Sequence, residues 1–245
     1  MATKSSDESF AARAPVYDTL TWIREDALLK HIIGVADVGN NDRVVDVATG
    51  TGALLEAFQP LARTAVGLDR SVHMLAKTKI RRAVVGGDAE KLPFTNRSFD
   101  VCLCRNGLHH FNRPRQFLEE VRRVLRSDGR LIVSEPVAPT RACLAFWTHL
   151  LLTKDLGRNA EMCFTEQQLC DFLQDCGYYV ARSSIVPQRV NVENWLGASG
   201  LSEQRKEVVR QQLRNAPRVA RNQMRIAGSG ETLSVEKLNC VLRLI

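Results

Sequence analysis

No run of apolar residues in this chain approaches the ~20 needed to span a bilayer. The longest candidate, Leu144 to Leu152, is interrupted by Thr148 and His149, so no membrane span is expected. The opening stretch from Met1 to Ser9 is polar and lacks an apolar centre, which argues against a signal peptide and for a frayed end. There is no internal repeat or low-complexity tract. The seven cysteines are odd in number and have no metal-type spacing, so they read as buried thiols, and a cytoplasmic location is the expectation. A Ser-His-Asp nucleophile elbow and a metal-type His-x-x-x-His are both absent, and no metal is expected.

The 245 residues, 44% hydrophobic and 25% charged, suffice for one large α/β domain. The net charge of +7 reads as a basic surface, with a polyanionic partner as the alternative.

The chain is organised around Val44 to Leu55. Val44, Val45 and Val47 are β-branched, as in a strand buried on both faces. Gly50 and Gly52 permit a sharp turn and close approach of a ligand, and Ala53, Leu54, Leu55 and Phe58 open a helix. This strand, glycine loop and helix is how doubly wound α/β domains present a nucleotide-like ligand. A dinucleotide fingerprint would carry glycine where Leu55 stands. Asp46, four residues before Gly50, would repel a pyrophosphate but attract an ammonium or sulfonium.

Elsewhere, helical periodicity in Leu28, Leu29, Ile32 and Ile33, in a segment running from Trp22 to about Val38, predicts one or two helices before the first strand. Strand two is Ala65 to Leu68, ending on Asp69, and strand three is Ala83 to Val85, leading to Asp88-Ala89. Strand four runs from Ser98 to Cys104, with Cys102 and Cys104 on one face, and empties into Arg105-Asn106 and His109-His110. A helix from Phe117 to Leu125 is expected to end at Ser127-Asp128-Gly129 as C-cap and turn, before strand five, Arg130 to Ser134. Arg141 to Thr153 reads as an apolar helix, and Thr165 with Gln168 as a capping box for another that stops at Gly177. Tyr178 to Val186 and Leu238 to Ile245 read as late strands, separated by a basic helical stretch from Asn191 to about Arg225. The predicted architecture is α/β and Rossmann-like: a doubly wound, mostly parallel seven-stranded sheet with an antiparallel edge strand, N-terminal lid helices and a helical insertion near the C-terminus.

In order along the chain stand D-V-A-T-G-T-G, G-L-D, G-D-A-E-x-L-P-F, S-F-D-V, L-H-H-F and R-V-L-R-x-D-G-R-L. Together they resemble the class I S-adenosylmethionine (SAM)-dependent methyltransferases. Within these they are similar to the type 11 group, which contains the menaquinone and ubiquinone ring C-methyltransferases and related small-molecule enzymes. The lead-in from Phe10 to Asp18 resembles the start of that group as well. The resemblance implies a single domain over 1–245, with lid helices over 1–40, a SAM-binding core over 41–136 and substrate-side elements over 137–245. It implies Thr49, Gly50, Thr51 and Gly52 against the methionine part of SAM, and Asp46 near its ammonium. Asp69 would hold the ribose and Asp88 with Ala89 the adenine, while Arg70, Met74, Asn106 and Tyr17 join the cofactor site. Where the quinone enzymes carry a cofactor-touching serine at the mouth of strand four, this chain has Arg105, which could reach a carboxylate.

Methyl transfer from a sulfonium is an in-line displacement that rests on alignment and desolvation. A base is needed only for a protonated nucleophile, and His109 and His110 are the candidates. His31, His73 and His149 fall in helical patterns and read as structural. Phe146, Trp147 and Trp195 are candidates to line an apolar acceptor pocket, or else core. The expected partner is a small-molecule acceptor, phenolic, quinol-like or a natural-product intermediate. The basic stretch over 205–225 leaves an RNA methyltransferase as an alternative, against which stands Arg105-Asn106-Gly107-Leu108 in place of an Asp/Asn-Pro-Pro-aromatic motif. A non-catalytic partner protein of the same fold is the other alternative. No motif in the sequence specifies an oligomeric state.

Overall fold

The computed structural model describes residues 10–11, 13–20, 26–155, 157–197 and 199–245. The expectations for Met1 to Ser9 and for Trp22 lie outside these residues. Helix α1 (Asp26–Ala36) leads to β1 (Arg43–Val47), α2 (Ala53–Phe58), β2 (Thr64–Asp69), the short α3 (Val72–Leu75), β3 (Val84–Gly86) and β4 (Phe99–Arg105). Then follow α4 (Pro114–Val124), β5 (Leu125–Val137), α5 (Arg141–Lys154), α6 (Glu166–Asp175), β6 (Val180–Asn191), α7 (Val192–Gly197), α8 (Glu203–Arg214), α9 (Arg218–Gln223) and β7 (Ser234–Leu244).

The seven strands form one sheet in the order β3-β2-β1-β4-β5-β7-β6. The first five pair in parallel, and β7 runs antiparallel to both β5 and β6. This is the mostly parallel, Rossmann-like sheet with antiparallel pairing toward one edge that the alternation predicts. Strand residues divide between the two faces with period two. Val45, Cys102 and Cys104 meet Phe117, Leu118 and Val121 of α4 on one face, while Val44, Val101 and Leu103 meet Leu28 and Ile32 of α1 and Leu55 and Phe58 of α2 on the other. Gly67 of β2 lets α2 come close, since a Cβ there would lie 2.7 Å from Leu55 Cδ2.

Two local expectations are corrected. Ser127-Asp128-Gly129 does not cap a helix: α4 ends at Val124 and the chain passes directly into β5. Phe99 pairs with Leu125 but Val101 with Arg130, so the extra residues of β5 form an irregularity that accommodates the turn-like triplet. The stretch from Asn191 to Arg225 is three helices, because Gly200 (φ +68°) and Pro217 break it. Trp147 lies in a third apolar cluster with Leu150, Val209 and Leu213, so it is core. The Thr165–Gln168 capping box forms as the sequence predicts.

Candidate active site

The strand order reverses between β1 and β4, and the crevice beyond their C-terminal ends is where such folds bind ligands. The segments after β1, β2, β3 and β4 all reach a cleft of about 1040 Å³ at this point. Two of these tips carry non-glycine residues in the left-handed region, Ala48 (φ +60°) and Asn106 (φ +53°). Backbone hydrogen bonds hold them there, from Thr49 N to Leu68 O at 3.0 Å and from Asn106 N to Ser134 O at 2.8 Å. Local strain of this kind is retained where the surrounding structure over-determines it.

The sequence-predicted residues Asp46, Thr49, Gly50, Thr51, Asp69 and Arg70 line the cleft. So do Met74, Asp88, Ala89, Arg105, Asn106, Tyr17 and His110. Gly52 stands behind the cleft wall as the N-cap of α2, at φ +86°, where a Cβ would fall 2.6 Å from Thr78 Oγ1. His109 is not part of this wall and faces a second cavity.

Asp46 is 1% exposed and accepts a hydrogen bond from Thr49 Oγ1 at 2.6 Å. Burial raises its carboxyl to about 7, against the opposing influence of Thr49 and Arg105. Asp69 accepts from Gly50 N at 2.7 Å and from Ser71 N at 2.8 Å. The N-cap of α3 is Ser71. Asp88 turns its own loop, accepting from Glu90 N at 2.9 Å. Thr51 Oγ1 donates to Asp18 at 2.6 Å, tying the N-terminal segment to the glycine loop, and burial raises the phenol of neighbouring Tyr17.

The two histidines separate. His109 Nδ1 bonds Glu135, whose other oxygen accepts from Leu108 N at 3.0 Å, so the carboxylate fixes the turn after β4. Burial pushes Glu135 up to about 7 and His109 well down. His110 Nδ1 donates to Gly157 O at 3.1 Å, and its Nε2 lies 3.6 Å from Asp155. Burial, then His109, pushes its imidazole down to about 3, so it is neutral near pH 7.

Sequence reasoning missed Glu135, Arg13, Asp155, Lys154, Arg158 and Lys237. The last five line the second cavity of about 580 Å³, which shares Phe10, Tyr17, Asn106 and His110 with the cleft. The available signal was Lys154-Asp155 closing an otherwise apolar helix. His109, His110 and Asp155 bring one ligand atom each within 4.8 Å of one another. The guanidinium of Arg13, 2.8 Å from Asp155 Oδ1, already answers that carboxylate.

Comparison with known proteins adds the family. Residues 45–133 match the model of a methyltransferase domain. A demethylmenaquinone methyltransferase of Mycobacterium sp. (strain KMS) is 33% identical over 155 residues, 62% of this chain and 67% of the relative. The chain belongs to the class I SAM-dependent methyltransferases. An uncharacterized methyltransferase of Bacillus subtilis, YcgJ, is 27% identical to this methyltransferase over 227 residues, 89% of each chain. The crystal structure of YcgJ superposes with a TM-score of 0.78 at 25% identity, covering 89% of this chain and 97% of that one. A SAM-dependent methyltransferase from Thiobacillus denitrificans, solved with S-adenosylhomocysteine (SAH), shares the fold at a TM-score of 0.54 and 16% identity over 90% of this chain and 91% of that one. The methyltransferase spans about half the length of other demethylmenaquinone methyltransferases it matches, 54% of that from Paenarthrobacter aurescens at 34% identity over 51% of this chain.

Proposed function

We propose that this methyltransferase binds SAM in the cleft at the β1/β4 reversal and transfers its methyl group to a small-molecule acceptor of phenolic, quinol-like or natural-product type. The observation that carries this reading is the buried Asp46 carboxylate at the floor of the cleft, which desolvation holds up near 7. Such a carboxyl is stabilised as an anion by a cationic ligand and destabilised by a phosphate. The cleft fits the cofactor in its other parts too. Leu68, Met74, Ala89 and Phe111 give an apolar wall for a purine, while Asp69 and Asp88 stand at two successive strand tips. In this reading Asp46 faces the ammonium, Asp69 takes the ribose hydroxyls, and Asp88 with the Ala89 N–H takes the adenine edge, with Thr49, Gly50, Thr51, Arg70, Arg105, Asn106 and Tyr17 completing the enclosure.

Bound SAM supplies a methyl group on a sulfonium whose leaving group departs neutral and needs no acid. The protein's task is to align the acceptor, exclude water and, for a protonated nucleophile, take the proton. His110 is placed for that step. With Nδ1–H donating to Gly157, the lone pair is on Nε2; Asp155 beside it raises the basicity of that nitrogen, against the burial and the His109 ring that make His110 a weak base. His109 positions the same turn through Glu135.

The basic C-terminal stretch gives the RNA alternative little support. Arg210 pairs with Glu193, Glu203 and Glu207, Arg214 with Glu207, and Arg225 with Glu236. Retention of Asp46, Asp69 and Asp88 in one cleft favours a working enzyme over a non-catalytic partner. Calorimetry with SAH, followed by incubation with labelled SAM and a metabolite extract and mass spectrometry of the product, tests the proposal. SAH binding and a labelled small molecule support it, whereas absence of SAH binding, or label found only in RNA, overturns it.

A further inference from the structure

The second cavity opens beside the cleft, and its chemistry is different. Phe10, Tyr17, Asn106 and His110 form the wall between the two, while Arg13, Lys154, Arg158 and Lys237 bring four cationic side chains to the far side against one carboxylate, Asp155.

Asp155 is already answered. Arg13 Nη2 holds its Oδ1 at 2.8 Å, and Arg13 Nε donates to Ser199 O at 3.2 Å. Burial alone would raise the Asp155 carboxyl, but His110, Arg13, Lys154 and Arg158 outweigh it and hold the group well below its ordinary range. Arg158 is in the opposite condition. Its Nε and Nη1 are buried and have no hydrogen-bond partner among the described residues. A guanidinium cannot shed its charge in a protein, and each N–H it leaves unmet is a donor for a carboxylate oxygen. Lys154 is buried with its ammonium 4.9 Å above the Trp195 ring. Burial first, then Arg13, Lys237 and Arg158, lowers its amine to about 7, against the pull of Asp155. A buried guanidinium with unmet donors is destabilising unless an anion joins it.

The other uses of this cavity fit less well. A divalent metal on His109, His110 and Asp155 would sit beside Arg13, Lys154, Arg158 and Lys237, whose charges repel it. A neutral quinol would leave the Arg158 donors unmet.

We propose that the methyl acceptor is an organic acid whose carboxylate docks on Arg158, with Lys154 and Lys237 alongside, so that its reacting end lies at the shared wall of Tyr17, Asn106 and His110. The word acceptor rests on the methyltransferase reading above, whereas the anion site rests on the second cavity alone.

The test is calorimetry on the full chain in two stages. SAH is titrated first. Benzoate, 3-phenylpropanoate and hexanoate, each against its primary amide, are then titrated into the protein with and without SAH. At least one acid is expected to bind about tenfold or more tightly than its amide. Arg158→Gln and, separately, Lys154→Met are each expected to reduce that preference severalfold while SAH affinity stays within about twofold. Having two variants keeps the test decisive if one fails to fold, which thermal unfolding reports. The anion site is overturned if no acid binds, if amides bind as well as acids, or if a folded variant keeps the full preference. A wild-type protein that takes the acids but not SAH overturns the methyltransferase reading and leaves the anion site standing.

Discussion

Asp69 joins two loops with one carboxylate, one oxygen taking the Gly50 N–H at 2.7 Å and the other the Ser71 N–H at 2.8 Å. The group assigned to the ribose hydroxyls is therefore already oriented by backbone donors on both sides. Asp69→Ala is expected to weaken SAH binding by about 1.5–3 kcal/mol, the range for hydrogen bonds to a charged group. Calorimetry reads this directly, and an unchanged Kd removes the ribose assignment.

Asp46 sets a pH dependence. Its carboxyl moves from an ordinary 3.8 to about 7 on burial between the glycine loop and Arg105, with Asp69 also raising it. Between those values the folded chain holds a proton that the unfolded chain has lost. The contribution of Asp46 to stability is thus fully present below the unfolded value and is lost as pH rises to about 7. A ligand ammonium needs the ionised form, so SAH affinity is expected to rise with pH by up to about tenfold per unit below 7 and then level off. Asp46→Asn is expected to flatten that rise, and a wild-type Kd constant from pH 5.5 to 8 would contradict the assignment.

The two histidines are expected to respond differently. His109→Ala leaves one oxygen of the buried Glu135 without its partner and is expected to cost about 1–3 kcal/mol of stability, the penalty for an unsatisfied buried polar group. Denaturant unfolding measures it. His110→Ala is expected to slow methylation of a proton-bearing acceptor on the order of 10²-fold, with SAH affinity within about twofold. Equal turnover in wild type and His110→Ala would end its role as base.

Chelation tests the three-donor cluster. With Arg13, Lys154, Arg158 and Lys237 set around His109, His110 and Asp155, a divalent ion is repelled, and EDTA is expected to leave SAH binding and methyl transfer unchanged. Loss of transfer that a divalent ion restores would overturn that expectation.

The parts of the fold legible in the sequence are those encoded locally. The β-branched run over Val44 to Val47, the glycines beyond it and the Thr165–Gln168 box each carry their structure within a few residues. Ser127-Asp128-Gly129 misled because its turn chemistry is outweighed by the pairing of Leu125 with Phe99, a contact between distant segments. The charged cavity escaped notice for the same reason. Arg13, Arg158 and Lys237 belong to an N-terminal turn, a loop and β7, and only the closed sheet brings them together. In sequence the adjacent His109 and His110 look equivalent, whereas the short 3₁₀ turn at Leu108–His110 points them into different environments.

The place of β7 between β5 and β6 also governs how the chain assembles. During synthesis the outer edge of β5 emerges long before the strand that covers it, since Leu131 waits for Leu244. Until then a row of unpaired backbone groups remains open to other chains, the circumstance in which nascent α/β proteins aggregate or recruit a chaperone. The region around Lys237 is supplied by that same late strand, so the second cavity is among the last parts of the molecule to be completed.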